Sequence, residues 1–110
     1  MSKQYSIFTS IYAALDGFCD NHPERKEEFV DWLSDANPNI WEGECSGDPA
    51  IYEDFLEFLS KVDYENLSIS QIAKLYFAQL DDYYSATIRF VLSLNEQELD
   101  ALMSKASGDA

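Results

Sequence analysis

Apolar residues recur at intervals of three and four positions along most of this chain, and this spacing restricts the fold more than any other feature. Such spacing places them on one face of an α-helix. Residues 4–19 show it first, at Tyr5, Phe8, Ile11, Tyr12, Leu15, Phe18 and Cys19. The run IRFVLSL at residues 88–94 could also be a strand, but no second strand is visible to pair with it. The sequence therefore predicts an all-α protein.

Pro23 predicts the start of a second helix, because a proline is tolerated in the first helical turn. Asn21 or His22 would cap this helix, which is expected to run to about Ser34. At 100° per residue, one side of the helix is acidic and the opposite side is apolar. The acidic residues are Glu24, Glu27, Glu28, Asp31 and Asp35, and the apolar residues are Phe29, Val30 and Leu33. Acids near the start of a helix also interact favourably with the helix dipole, so ordinary helix stabilisation explains part of this pattern.

Residues 36–48, ANPNIWEGECSGD, predict the longest loop of the domain, because they hold one proline, two glycines and two asparagines without a helical period. Asp48 and Pro49 then predict the cap and the first position of a third helix. The predicted buried positions of this helix are Ile51, Tyr52, Phe55, Phe58, Leu59 and Val62. Its outer side carries Glu53, Asp54, Glu57 and Lys61.

Ser68 and Gln71 have the spacing of a capping box and open a long helical pattern. Residues 69–93 form either one helix of about 24 residues, longer than the usual 11 or 12, or two helices with a break near residues 81 and 82. Asn95 repeats the capping-box spacing and begins a last short helix. We expect a single-domain bundle of four to five helices over residues 1–106 and a frayed tail at residues 107–110.

The chain has 21 acidic and seven basic residues and a net charge of −14. This excess repels phosphate backbones and anionic membrane surfaces, and no apolar run is long enough to span a bilayer. We expect no direct binding of nucleic acid, no membrane contact and a cytoplasmic location. Cys19 and Cys45 are too few for a disulfide framework and fit a reducing compartment, although one bridge between them stays open.

No catalytic or metal-binding motif is visible, and we predict a non-enzymatic protein without a cofactor. Cys19, His22 and Cys45 could supply three zinc ligands, but the second close pair typical of a structural zinc site is missing. The stretch DYENLSISQ lacks the glycine and the closing glutamate of a calcium loop. The single histidine and the four glycines form neither a nucleophile motif nor a phosphate-binding loop.

Acidic residues gather between positions 41 and 65, where eight acids accompany one base, Lys61. Self-repulsion among them costs stability, so their presence favours a role in binding a basic partner. Aromatic residues interspersed with charge are also typical of binding hot spots. The predicted partner-binding residues are Trp41, Glu42, Glu44, Asp48, Tyr52, Glu53, Asp54, Glu57, Asp63 and Glu65. Core packing is the alternative role for Trp41 and Tyr52.

In size, acidity and helical character the chain resembles the immunity proteins of bacterial toxins and the DNA-mimicking proteins of phages. No single residue is matched by this general resemblance. It implies an inhibitor that occupies the basic site of a nuclease, a toxin or a DNA-binding protein. Two other hypotheses stay open. One is a regulatory or adaptor domain that binds a partner helix in an apolar groove framed by the pattern over residues 69–93 and by residues 99–103, and the other is a homodimer.

Overall fold

Helices form the regular structure of the computed structural model, which describes residues 1–107. Within this range the α-helices are α1 (Lys3–Asn21), α2 (Val30–Ala36), α3 (Pro49–Ser60), α4 (Ile69–Ala78), α5 (Ser85–Ser93) and α6 (Glu96–Ser107). Short 3-10 helices lie at Pro23–Glu28, Tyr64–Asn66 and Asp82–Tyr84. The predicted all-α class is confirmed, and residues 88–93 belong to α5 rather than to a strand. Of the predicted tail, Ser107 belongs to α6 and residues 108–110 lie outside the described residues.

The centre of the bundle is α1, which contacts α2, α3, α4 and α6. The side chain of Ser2 caps it by accepting a 3.1 Å hydrogen bond from the backbone N–H of Tyr5. Five residues of the predicted stripe, Tyr5, Phe8, Ile11, Leu15 and Cys19, are buried, together with Ile7 and Ala14, whereas Tyr12 and Phe18 are partly buried. Because neighbours cover α1 on several sides, its apolar face organises the core to which the other helices attach.

The core is rich in aromatic rings, and Trp32 of α2 is fully buried among them. Its ring lies 5.1 Å from the ring of Phe77 and 6.3 Å from that of Phe8, measured between centroids. Its indole N–H donates a 3.4 Å hydrogen bond to the phenol oxygen of Tyr76, which satisfies the polar atom of a buried ring. The sequence pattern placed Phe29, Val30 and Leu33 on the buried side and missed Trp32, whereas Val30 is exposed.

The predicted second helix is divided in two. Pro23 begins a 3-10 helix rather than an α-helix, and α2 starts only after Phe29. Residues i and i+3 nearly eclipse in a 3-10 helix, which suits the two hydrogen bonds of 2.7 and 2.9 Å from Arg25 to Glu28. The Arg25 guanidinium also lies over the Phe90 ring, 5.0 Å from its centroid. The five acids of this segment therefore do not share one regular helical face.

The long pattern over residues 69–93 forms two helices, as the second alternative predicted. After Ala78 the chain leaves the helix, and the side chain of Asp81 accepts a 2.8 Å hydrogen bond from the N–H of Tyr83. An aspartate that caps a new turn competes with continuation of the old helix. Tyr83 follows this break, and its side chain is 65% exposed.

The predicted helix starts at residues 48–49, 68 and 95 are confirmed. Asp48 caps α3 through its carboxylate and the N–H of Ala50, at 3.1 Å, with Pro49 in the first position. The capping box of Ser68 and its partner three residues later is complete at the start of α4. Asn95 and the glutamate three residues later exchange the same pair of hydrogen bonds before α6.

Candidate functional site

The outer face of α3 carries the acids that the sequence predicted to be exposed. Its inner residues Ile51, Tyr52, Phe55, Phe58 and Leu59 are buried, which turns Glu53, Asp54 and Glu57 to the surface. Within the described residues the only cation paired with this face is Lys61, whose Nζ lies 3.4 Å from the Glu57 carboxylate. Both side chains are about two-thirds exposed, so water screens the ion pair and it neutralises the face only weakly.

The loop between α2 and α3, residues 37–48, presents an apolar tip to solvent. Ile40 and Trp41 lie at the tip, and Trp41 is 53% exposed. The indole N–H of Trp41 donates a 3.3 Å hydrogen bond to the carbonyl oxygen of Gly47, so the ring is held by its own loop. A large aromatic ring that is fixed and half-exposed can contact a partner without a large loss of side-chain entropy.

Several hydrogen bonds hold the rest of the loop against the bundle. The buried hydroxyl of Ser46 donates to the carbonyl oxygen of Asp48 at 2.6 Å and accepts from the N–H of Tyr52 at 2.9 Å. The N–H of Asp48 donates to the carbonyl oxygen of Asp35 at 2.8 Å. On the other side, the Tyr5 hydroxyl donates to the carbonyl oxygen of Pro38 at 3.2 Å. The loop is therefore an ordered platform for its exposed tip.

Three of the predicted binding acids have local structural roles. Glu44 accepts a 2.6 Å hydrogen bond from the N–H of Ser2, and this bond lowers the pKa of the Glu44 carboxyl. Asp48 caps α3, and Asp63 accepts a 2.6 Å hydrogen bond from the side chain of Asn66. These contacts account for the three acids without a partner protein, although all three remain exposed.

Tyr52 does not belong to the exposed surface, and its alternative role in the core is the one the structure shows. It is 6% exposed, and its ring lies 5.2 Å from the ring of Phe8 and 5.3 Å from that of Tyr5. Burial raises the pKa of its phenol. Position 52 lies on the inner stripe of α3, so packing and not binding explains its aromatic side chain.

The remaining acids lie on α3 and in the segments that precede and follow it. Glu42 lies in the loop before the helix, and Asp63 and Glu65 follow its last turn. A helix of 12 residues is about 18 Å long at 1.5 Å per residue. We call the exposed set of Glu42, Glu53, Asp54, Glu57 and Glu65 the acidic strip. The exposed acids within α3 itself, Glu53, Asp54 and Glu57, span about 6 Å of the helix axis.

A groove lies between α3 and the break that separates α4 from α5, and it has a volume of about 530 Å³. Its apolar lining residues are Ile51, Phe58, Leu80 and Tyr84. Its carboxylates are Asp54 and Glu57 of the acidic strip, together with Asp81, which the sequence did not predict as a site residue. The possible helix break near position 81 was the one signal in the sequence that could have indicated Asp81 as a site residue.

The floor of this groove is fixed by Tyr84, whose hydroxyl donates a 2.7 Å hydrogen bond to Asp35 Oδ2. Burial and the negative charge of Asp35 both raise the pKa of the Tyr84 phenol, so it stays protonated at neutral pH. Asp35 is only half-exposed, and it is therefore not part of a free acidic helix face as its spacing predicted. Its carboxylate instead links α2 to the start of α5.

The thiols and the imidazole occupy separate structural positions. Cys19 and Cys45 are both free thiols, and burial raises the pKa of the Cys19 thiol. His22 stacks on the Phe18 ring at a centroid distance of 4.1 Å, and its Nδ1 lies 3.0 Å from the Phe18 carbonyl oxygen. Among residues 1–107 no group of three or more His, Cys, Asp or Glu side chains is placed to hold a metal ion.

The described helices also lack the combination of length and apolar character that crossing a membrane requires. Comparison with known proteins gives no match to a family model, to a curated protein or to a solved structure.

Proposed function

We propose that this chain is a non-enzymatic protein-binding module that places its acidic strip in a basic site of a partner protein. The observation that carries the proposal is the outer face of α3, where Glu53, Asp54 and Glu57 are exposed and accompanied by one weakly paired base, Lys61. Like charges held on one helix repel one another and cost stability. A cationic surface opposite them would remove this repulsion and would also attract the protein at long range.

The ordered loop before α3 supports the same proposal. Its Trp41 stands half-exposed at one end of the acidic strip, and its hydrogen bond to the Gly47 carbonyl fixes the ring. Aromatic residues supply much of the binding free energy in protein interfaces, whereas rim charges mainly raise the association rate. Trp41 would therefore slow dissociation, and the acidic strip would speed association.

The partner class that fits these features is a nuclease, a toxin or a DNA-binding protein, with the chain acting as an inhibitor, an immunity-type protein or a nucleic-acid mimic. Sites that bind nucleic acid are elongated and rich in Lys and Arg, because they follow a phosphate backbone. The exposed carboxylates of Glu53, Asp54 and Glu57, within about 6 Å along α3, offer complementary negative charge to such a site. A cytoplasmic location is part of the proposal, since both cysteines are free thiols.

The adaptor hypothesis has less support in the structure. In this hypothesis the pattern over residues 69–93 and residues 99–103 frame an apolar groove, but Leu99 is fully buried and Leu102 and Met103 pack against the core. This segment of α6 contributes to the bundle, between α1 and α4. A homodimer remains a separate possibility, because Leu75 and Leu92 are exposed; light scattering during size-exclusion chromatography measures it directly.

The proposal is tested by affinity capture from a lysate of the source cells with three immobilised proteins. These are the wild type, the variant Glu53→Gln/Asp54→Asn/Glu57→Gln, and the control Glu24→Gln/Glu27→Gln/Asp31→Asn. The control removes the same charge from exposed acids outside the acidic strip. We expect the wild type and the control to retain a basic protein at low salt and to release it at elevated salt. The strip variant should not retain this protein. Equal retention by all three proteins would refute the proposal.

A further inference from the structure

The groove between α3 and the α4–α5 break combines an apolar floor with an acidic border. Ile51, Phe58, Leu80 and Tyr84 contribute the floor, and Asp54, Glu57 and Asp81 contribute the carboxylates. One base, Lys61, lies in the lining, and its exposed ion pair with Glu57 can exchange for another cation at little cost. The groove thus has excess negative charge beside a surface that water solvates poorly.

Hydrogen bonds within the protein hold several residues that line the groove. The hydroxyl of Tyr84 is hydrogen-bonded to Asp35, and Asp81 caps the following turn through the N–H of Tyr83. Gln79 is held by a 2.8 Å hydrogen bond from its side-chain amide to the carbonyl oxygen of Tyr76. A groove with fixed walls loses little conformational entropy when it is filled.

We propose that this groove is the docking site for one basic, amphipathic segment of the partner protein. Apolar side chains of that segment contact Phe58 and Leu80, while its Lys or Arg side chains pair with Asp54, Glu57 and Asp81. Charge complementarity favours a basic occupant. An acidic or neutral amphipathic segment would also bury apolar area in the groove, but it would leave the three carboxylates of the groove unpaired. The inference rests on the proposed function and names the partner element that the α3 surface binds.

Tyr83 extends the proposed site beyond the groove. It is the most exposed aromatic residue of the described chain, and its ring lies edge-on to that of Tyr84 at a centroid distance of 5.0 Å. Its backbone N–H donates a hydrogen bond to Asp81, so this exposed ring belongs to a residue that adjoins one carboxylate of the groove.

The test is an NMR titration of the ¹⁵N-labelled chain with a synthetic peptide of Lys and Leu residues at amphipathic helical spacing. The control peptide replaces every Lys with Gln, which keeps the apolar face and removes the charge. We expect the basic peptide to shift the amide signals of Phe58, Lys61, Gln79, Leu80 and Tyr83, and the Gln peptide to shift them much less. The dissociation constant should rise with salt concentration.

Variants locate the peptide within the acidic surface. Asp54→Asn/Asp81→Asn should weaken binding of the basic peptide about three- to tenfold, and the turn after position 81 should persist because asparagine caps as well as aspartate does. The control Glu24→Gln/Glu27→Gln removes the same charge from exposed acids outside both the acidic strip and the groove lining and should change binding less than twofold.

The possible results separate this inference from the proposed function. Signal shifts confined to the Trp41 loop and to Glu53, with none at Gln79 and Leu80, would overturn the groove assignment while leaving an acidic binding surface. Equal binding of the basic and Gln peptides, or no shift with either, would also overturn the groove assignment. The capture experiment would still decide whether the acidic strip binds a partner.

Discussion

The hydroxyl of Tyr84 donates a 2.7 Å hydrogen bond to the carboxylate of Asp35, and this contact joins the end of α2 to the turn before α5. Replacing Tyr84 with Phe removes the hydrogen-bond donor, and the partly buried carboxylate of Asp35 must then form its hydrogen bond with water. We expect Tyr84→Phe to lower the free energy of unfolding by about 1–3 kcal/mol, measured by urea denaturation. Tyr83→Phe is the matched control and should change it by less than about 0.5 kcal/mol, because Tyr83 is exposed. Equal effects of both variants would contradict a structural role for this bond.

Two glycines should respond to alanine in opposite directions. A Cβ at Gly47 would lie 2.6 Å from the backbone oxygen of Ser34, whereas a Cβ at Gly17 in α1 would have no neighbour within 4 Å. Gly17→Ala should raise the free energy of unfolding by about 0.5–1 kcal/mol, because alanine restricts the unfolded chain and favours the helix. Gly47→Ala should lower it by about 1–3 kcal/mol, because the clashing atom is backbone. Thermal unfolding measures both, and stabilisation by Gly47→Ala would show that the loop is looser than described.

The order of the loop depends on the buried hydroxyl of Ser46. Ser46→Ala leaves the N–H of Tyr52 without its hydrogen-bond acceptor, which should cost about 1–3 kcal/mol of stability in chemical denaturation. Ser60→Ala is the control, since the Ser60 hydroxyl is exposed and its loss should cost less than about 0.5 kcal/mol. We also expect Ser46→Ala to change the fluorescence of Trp41 by loosening the loop. An unchanged stability would remove Ser46 as the anchor.

Stability should fall at alkaline pH because of buried phenols. Burial raises the pKa of Tyr76 to about 12 and raises that of Tyr12, Tyr52 and Tyr84. A raised pKa means that the folded state retains protons that the unfolded state releases above its ordinary pKa of about 10. The contribution of these phenols is therefore complete below pH 10 and is lost as pH rises toward 12. Urea denaturation across this range should show the decline, and Tyr76→Phe should make it shallower. A flat profile would contradict burial of these phenols.

Local signals explain why much of the fold was predictable. Asp48 with Pro49 and Ser68 with Gln71 each place a cap and its partner within a few residues, so they mark helix starts without tertiary information. The outward position of Glu53 followed in the same way from the apolar stripe of α3. Positions set by distant contacts were not predictable. Asp35 meets Tyr84 only after the bundle assembles, and Trp32 is buried because rings from α1 and α4 surround it.

In the candidate site, too, local features were predictable from the sequence and distant contacts were not. Trp41 and the acids of α3 were predicted as site residues because they are close in sequence, but Asp81 meets Asp54 and Glu57 only across the groove. Tyr52 was assigned to the binding surface because it stands among acids, although its helical position makes it a core residue. Proximity in sequence therefore predicted the composition of the surface better than its shape.

The central claim is that the acidic strip of α3 steers the chain onto a basic partner. The direct measurement is the association rate constant with the captured partner at low and high ionic strength, for the wild type and for Glu53→Lys/Asp54→Lys/Glu57→Lys. We predict a wild-type rate that falls at least about tenfold with added salt and a charge-reversed variant that associates much more slowly at low salt. Circular dichroism should show that the variant keeps its helices. An association rate that changes neither with salt nor with charge reversal would contradict the account.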